Sequence, residues 1–180
     1  MNVVWKPHTS VTHHVTSELA LDPAVATSLL SLTKFVKPDW LQIVVERGTS
    51  SDPSLSLEHE FVLPSPSQHR PALSTSLPSS LQSYRSWEPN EARVDIFKPF
   101  RFIFVGERGR EIAEDYVELV RRGGAGYACC AVQGGRKALH SALTKGKEMG
   151  QELVLVANIE AMVAAVGQDE WEDIVKEASQ

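Results

Sequence analysis

Cysteine is scarce in this chain of 180 residues, which has only Cys129 and Cys130, side by side. Adjacent residues on a strand point to opposite faces, so these two cannot supply a framework of disulfide cross-links. Such frameworks belong to oxidising compartments. We therefore expect a reducing compartment, either the cytosol or the nucleus.

Positive charge and long apolar runs are also in short supply. The 18 Lys and Arg residues are outnumbered by 23 Asp and Glu residues, giving a net charge of −5. A broad basic surface for nucleic acid is therefore not expected, although a local patch stays open. No apolar run approaches the roughly 20 residues needed to cross a bilayer. The N-terminus lacks a charged segment followed by an apolar core, so no signal peptide is predicted.

Serine and proline dominate one segment, residues 49–96, which has no sustained hydrophobic periodicity. This composition is typical of a linker with extended stretches. Within it, Tyr84–Trp87 is a short aromatic island that could dock on a folded neighbour. The sequence therefore predicts a linker between two pieces, residues 1–48 and 97–180.

The second piece, residues 97–180, alternates strands and helices. Phe100–Val105 is the nearly continuous apolar run of a strand buried on both faces. The predicted helix Glu111–Arg122 stops at Gly123 and Gly124, a strong C-terminal signal. The remaining predicted elements are a strand over Tyr127–Val132, a helix over Lys137–Lys147, a strand over Leu153–Ala157, and helices over Ile159–Val166 and Trp171–Glu177. This order predicts an α/β fold with a parallel sheet.

The first piece, residues 1–48, shows the same alternation in shorter form. Val11–Thr16 predicts a strand, and Pro23–Thr33 predicts a helix with Asp22 as its cap. A short strand around Phe35-Val36 follows, and Pro38 then suits the first turn of another helix.

A bulky ring leads the last helix of each piece. In PDWLQIVV (residues 38–45) and DEWEDIVK (residues 169–176), Trp is followed by Ile and Val at i+3 and i+4. This spacing places the ring and both aliphatic side chains on one helical face. Trp40 and Trp171 are therefore predicted to be core residues rather than platforms for a ligand.

Two pieces that each end in a Trp-led helix resemble a tandem pair of BRCT domains. VTHHVTS (residues 11–17) is similar to that family's third strand, with Thr12 and His13 at its Thr-His position. FVKPDWL (35–41) is similar to the fourth strand and last helix. RRGGAGY (121–127) is similar to the glycine turn after the first helix. The arrangement as a whole resembles the tandem BRCT region of the nibrin family, the regulatory subunits of the MRN double-strand-break repair complex.

This resemblance implies two small parallel-sheet domains in tandem, each with four strands and three helices. The first domain would lack its opening strand and helix. An FHA domain precedes the pair in that family and a tail binding the nuclease follows it, and neither stands in this sequence. A fragment, a shortened gene model and a degenerate repeat are the open explanations.

The resemblance also implies a nuclear, non-enzymatic scaffold without a cofactor, a metal or a membrane. Its partners would be DNA-repair proteins, some of them phosphorylated. The nuclease and ATPase subunits of the MRN complex would bind through regions outside this chain. Direct contact with DNA stays open. BRCT pairs that read phosphopeptides use a Lys near the start of the second helix, and that position falls near Ala24 here, so phosphopeptide binding is expected to be weak or absent.

Two groups of side chains are candidates for contact or modification. The basic residues are candidates for phosphate or DNA contact, although such clusters are commonly solvated; they are Arg136, Lys137, Lys145 and Lys147. Ser65, followed by Pro66, and Ser67, followed by Gln68, are candidate phosphorylation sites. Such dipeptides also arise by chance in a serine-rich segment.

Two alternatives to this function stay open. One is another tandem BRCT adaptor of checkpoint or replication control. The other is a small α/β enzyme with a phosphate-binding loop at Gly106–Gly109, between a strand and a helix. Glu107 within that loop would repel an anion, which weighs against the enzyme.

Overall fold

The computed structural model describes residues 4–5, 10–49, 63–109, 112–133 and 137–179. The chain divides into two compact units, Met1–Glu91 and Ala92–Gln180. Both are mixed α/β, with short parallel sheets, and the described residues form six α-helices. The predicted α/β class is therefore confirmed.

The first unit holds two small sheets of two strands each within its described residues. The strand His13–Val15 pairs in parallel with Lys34–Val36, and the strand Glu18–Leu19 pairs in parallel with Ala72–Leu73. Its elements are β1 (His13–Val15), β2 (Glu18–Leu19), α1 (Pro23–Leu30), β3 (Lys34–Val36), α2 (Pro38–Thr49) and β4 (Ala72–Leu73). Helix α1 begins as predicted, because the Asp22 carboxylate accepts a 2.9 Å hydrogen bond from the Val25 N–H.

The β1–β3 pair is covered on both faces. On one face, Phe35 packs in a cluster with Leu19, Val25, Leu77 and Trp87. On the other, Val36 packs with Trp40 and Val44 of α2. The prediction that Trp40 is a core residue is confirmed, since its side chain is buried.

The adjacent histidines of β1 lie on these opposite faces. The His13 ring stacks on Trp40, with 4.4 Å between ring centroids, whereas the His14 ring lies against Phe35. The His14 Nδ1 atom is 2.7 Å from the Ser28 hydroxyl. Thr12 is exposed, so its predicted place in the core is wrong: its hydroxyl instead lies 3.0 Å from the His13 ring nitrogen.

These two histidines predict a pH dependence. Burial lowers the pKa of both below the ordinary 6.5; the charge of Lys34 adds to this for His13, and Asp22 opposes it for His14. The unfolded chain therefore binds protons more tightly than the folded chain. The contribution of the two neutral rings to the free energy of unfolding is fully present above the unfolded pKa of about 6.5. It is lost as the pH falls through the lower folded pKa.

We accordingly expect the urea midpoint of the first unit to fall between about pH 7 and pH 5. The double variant His13→Gln, His14→Gln serves as the control and should show a shallower slope. A midpoint that stays constant or rises on acidification would contradict this reading of the two rings.

Much of the predicted linker, residues 49–96, is instead packed into the first unit. Residues 63–91 contribute β4 and three short 3-10 helices, at Pro66–Gln68, Ser79–Leu81 and Tyr84–Trp87. The Trp40 indole N–H donates to the Pro64 carbonyl over 2.8 Å. A serine- and proline-rich sequence can fold this way because widely spaced apolar side chains fill the core without helical or strand periodicity. Residues 50–62 of the predicted linker lie outside the described residues.

The second unit is built on a parallel three-stranded sheet, in which the strand Phe100–Gly106 lies between Gly126–Ala131 and Glu152–Ala157. The first strand in sequence is thus the central one, and it pairs with a neighbour on each side. The elements are β5 (Phe100–Gly106), α3 (Glu114–Arg122), β6 (Gly126–Ala131), α4 (Lys137–Glu148), β7 (Glu152–Ala157), α5 (Ile159–Val166) and α6 (Gln168–Ser179). Each of the predicted strands and helices of this piece is confirmed, with shifts of a few residues at the ends.

Two cores cover the faces of this sheet. The larger one contains Trp171 and Ile174 of α6, together with Ile103 and Val105 of β5. The prediction for Trp171 is confirmed, because only 6% of its surface is exposed. Cys130 is buried in the same core while Cys129 is exposed, as expected for neighbours on a strand.

The turn after α3 requires both of its glycines. A Cβ at Gly123 would lie 2.1 Å from the Phe97 ring, so the ring leaves room for hydrogen only. Gly124 has a φ of +83°, a conformation that other residues rarely adopt. The predicted structural role of the pair is therefore confirmed, although Gly124 itself is exposed.

The pairing of the strands predicts unequal protection from hydrogen exchange. β1 pairs with a single strand among the described residues, whereas β5 pairs with two. We expect amides of residues 11–15 to exchange faster than those of residues 102–105, because an open edge needs less local unfolding. Mass spectrometry of the native chain measures this. Equal protection would mean that another segment completes the first sheet.

Candidate functional site

A pocket of about 240 Å³ lies in the first unit, between β3 and the later segment Ser65–Pro89. Its apolar lining combines Leu19 and Phe35 with Pro71, Tyr84 and Trp87, while Lys34, Arg70 and Glu88 add charge. Ser65, Pro66, Ser67 and Pro89 complete the lining. The pocket therefore joins an apolar interior to a charged and hydroxylated rim.

Hydrogen bonds fix the aromatic walls. The Trp87 indole N–H donates to the Leu81 carbonyl over 2.9 Å, and the ring meets Phe35 edge-on, with 6.0 Å between centroids. The Tyr84 hydroxyl donates to the Pro71 carbonyl over 2.9 Å. The polar atoms of both rings are thus satisfied inside the unit, and both residues line the pocket. The predicted docking of the Tyr84–Trp87 island is confirmed.

Two cations stand at the pocket. The Arg70 guanidinium lies 5.1 Å from the centre of the Tyr84 ring and forms a 3.0 Å ion pair with Glu88. Lys34 is exposed, and within the described part of the chain it forms no ion pair. Its charge helps to lower the pKa of His13. The charge of Arg70 is therefore neutralised by Glu88, whereas Lys34 is available to pair with an anionic group of a ligand.

The two candidate phosphorylation sites lie on the wall of this pocket. Ser65 and Ser67 are exposed on either side of Pro66, with 2.8 Å between their hydroxyl oxygens. Both serines thus line the same pocket as Lys34 and Arg70. Their phosphorylation stays a prediction.

The lysines of the predicted basic cluster, as far as the structure describes it, lie towards both ends of α4 rather than at one point. Lys137 and Lys145 are exposed near opposite ends of α4, about 12 Å apart along the axis for eight residues of helix. Lys147 donates to the Glu177 carbonyl over 3.2 Å. Arg136 lies outside the described residues.

The carboxyl edge of the second sheet holds the loop of the enzyme alternative. Glu107, directly after β5, accepts a 2.6 Å hydrogen bond from the Gln133 amide, whose oxygen accepts from Arg108 over 3.2 Å. The loop thus carries a carboxylate, which would repel a phosphate, whereas phosphate-binding loops present N–H groups. This network makes the loop a poor phosphate site.

The described residues contain no helix long and apolar enough to span a bilayer. They also contain no group of three or more His, Cys, Asp or Glu side chains placed to hold a metal ion. No family model matches the chain, and searches of curated proteins and of solved structures find no match.

The pocket was not predicted from the sequence. Its walls come from β2, from β3 and from a segment about 30 to 55 residues after β3, whose low periodicity conceals which side chains point inward. The available signal was the concentration of Pro, Tyr and Trp in a segment otherwise rich in serine. Aromatic residues seldom remain without a packing partner in a linker.

Proposed function

We propose that this chain is a non-enzymatic scaffold of a DNA double-strand-break repair and checkpoint complex, made of two BRCT-like units and acting in the nucleus. The observation that carries the proposal is the repeated Trp-led helix. Trp40 and Trp171 are both buried near the start of the last α-helix that the structure describes in their unit. The resemblance to the tandem BRCT region of the nibrin family gives this repetition a functional meaning.

The topology of the second unit supports the proposal. Its opening strand β5 is central, as the opening strand of a BRCT domain is, and the glycine turn after α3 stands where that family has one. The described part of the unit has three strands rather than four. The first unit likewise departs from the family, because no described strand occupies the place of an opening strand.

The proposed mode of action is the binding of proteins. Repair factors are the proposed partners, including the nuclease and ATPase subunits of the MRN complex through regions outside this chain. The position matching the family's phosphate-reading Lys falls near Ala24, a partly buried residue of α1 that carries no charge. Contacts other than phosphate reading at that position are therefore proposed. Another tandem BRCT adaptor of checkpoint control is the alternative within the same class.

Deletion and complementation in the cells of origin test the function. Loss of the gene should lower survival after ionising radiation, and the native gene should restore it. A gene encoding Trp171→Ala should restore it poorly, because the second unit would be partly unfolded. Trp5→Ala is the matched control, since Trp5 is 96% exposed. Equal survival with and without the gene would contradict a role in break repair.

A further inference from the structure

We propose that the pocket of the first unit binds a short acidic peptide segment of a partner protein, with one apolar side chain seated in the cavity that Phe35, Tyr84 and Trp87 help to line. The inference rests on the proposed function as a protein-binding scaffold and specifies where and what it binds. Three properties of the pocket support it: the size of the cavity, its rigidity and its charge.

The size of the cavity suits one side chain. Sites for drug-sized ligands measure about 300–1,000 Å³. The cavity here, at about 240 Å³, is smaller and is lined mainly by apolar and aromatic groups. A single Leu, Phe or Trp anchor, with its backbone running outside, fits this shape better than a whole small molecule. Aromatic anchors in such pockets commonly supply most of the binding energy of an interface.

The walls of the pocket are pre-formed. Trp87 and Phe35 are buried at 4% and 7% exposure, and Leu19 beneath them is at 1%. The hydrogen bonds from Trp87 to Leu81 and from Tyr84 to Pro71 fix both rings without a ligand. Binding would then cost little ordering of the protein, which favours affinity for a short segment.

The charge at the rim selects an acidic segment. Glu88 is already paired with Arg70, whereas Lys34 has no carboxylate partner within the described residues. A carboxylate next to the anchor would pair with Lys34, and a second would compete with Glu88 for Arg70. A basic segment would meet the uncompensated charge of Lys34. The rim therefore distinguishes peptides by the sign of their charge.

Synthetic peptides with one central Phe, Leu or Trp test the proposal on the full chain. Three sets share these anchors and differ in their flanks, which are Asp and Glu, Ser and Gly, or Lys. A fourth set carries phosphoserine flanks. Binding is followed by nuclear magnetic resonance of the labelled chain. The indole signal of Trp87 should shift on binding, and that of Trp171 serves as the internal reference.

The acidic set should bind most tightly, and Lys34→Glu should weaken it by about five- to tenfold. Arg85→Glu is the matched control, because it makes the same change of charge on an exposed residue of the same unit that does not line the pocket. This variant should bind like the native chain. The loss caused by Lys34→Glu should shrink at high salt, since exposed charges are screened.

Several results would overturn the inference. One is an absence of binding up to about 1 mM, where the free energy of binding is only about −4 kcal/mol. The others are equal binding of the acidic and basic sets, binding by the phosphoserine set alone, and a shift that spares the Trp87 indole. Failure of the peptides in a chain that still restores radiation resistance would refute the pocket and leave the proposed function standing. Peptide binding by the chain, together with unchanged radiation survival after loss of the gene, would refute the proposed function and leave the pocket standing.

Discussion

Replacing Trp171 by Ala should lower the free energy of unfolding of the second unit by about 3–5 kcal/mol. The ring is 6% exposed and packs with Ile103, Val105 and Ile174 between α6 and the central strand. Its removal loses the burial of a large aromatic surface and leaves a cavity that the rigid sheet can fill only in part. A loss of this size is a large fraction of the stability of a small domain.

Urea unfolding followed by hydrogen exchange at residues 100–106 measures this loss in the second unit itself. Trp5→Ala is again the control, because the same substitution at a 96% exposed position removes no buried surface. A Trp171→Ala chain whose midpoint matched that of Trp5→Ala would show that α6 does not anchor the core.

Replacing Trp40 by Ala should destabilise the first unit by a similar amount, about 3–5 kcal/mol. The Trp40 ring stacks on His13 and packs with Val36 and Val44. Its indole N–H also donates to the Pro64 carbonyl, so the residue ties α2 to the segment after residue 62. Loss of the ring therefore removes both buried surface and a hydrogen bond between distant parts of the sequence.

The variant Trp40→Phe separates these two contributions. It keeps most of the buried ring but leaves the Pro64 carbonyl without its donor, which should cost about 1–3 kcal/mol. Exchange of amides in residues 63–74 reports the detachment of that segment. If Trp40→Phe proved as stable as the native chain, the bond to Pro64 would not contribute to holding the segment in place.

The elements that the sequence predicted well are those with a strong periodic or terminal signal. The apolar run of β5 and the Trp-led apolar face of α6 could be assigned because each pattern determines its own local structure. Helix α6 nevertheless begins at Gln168, three residues before the predicted start. Gly123 and Gly124 marked the end of α3 correctly, because a helix stop depends on neighbouring residues alone.

The elements that the sequence did not predict depend on distant contacts. β2 and β4 are two residues each, and their register joins Leu19 to Leu73. Two-residue strands carry no periodicity, so only their packing reveals them. Residues 63–91 were assigned to a linker for the same reason. The wall of the pocket belongs to this segment, and the candidate site was therefore beyond the reach of the sequence alone.

Recruitment of the native chain to a single induced double-strand break tests the central claim most directly. Chromatin immunoprecipitation of the tagged chain measures its occupancy beside the break and at an uncut locus in the same cells. The proposal predicts enrichment beside the break after cutting, retained by Trp5→Ala and lost with Trp171→Ala. Occupancy that is the same at the cut and uncut loci would contradict a scaffold of break repair.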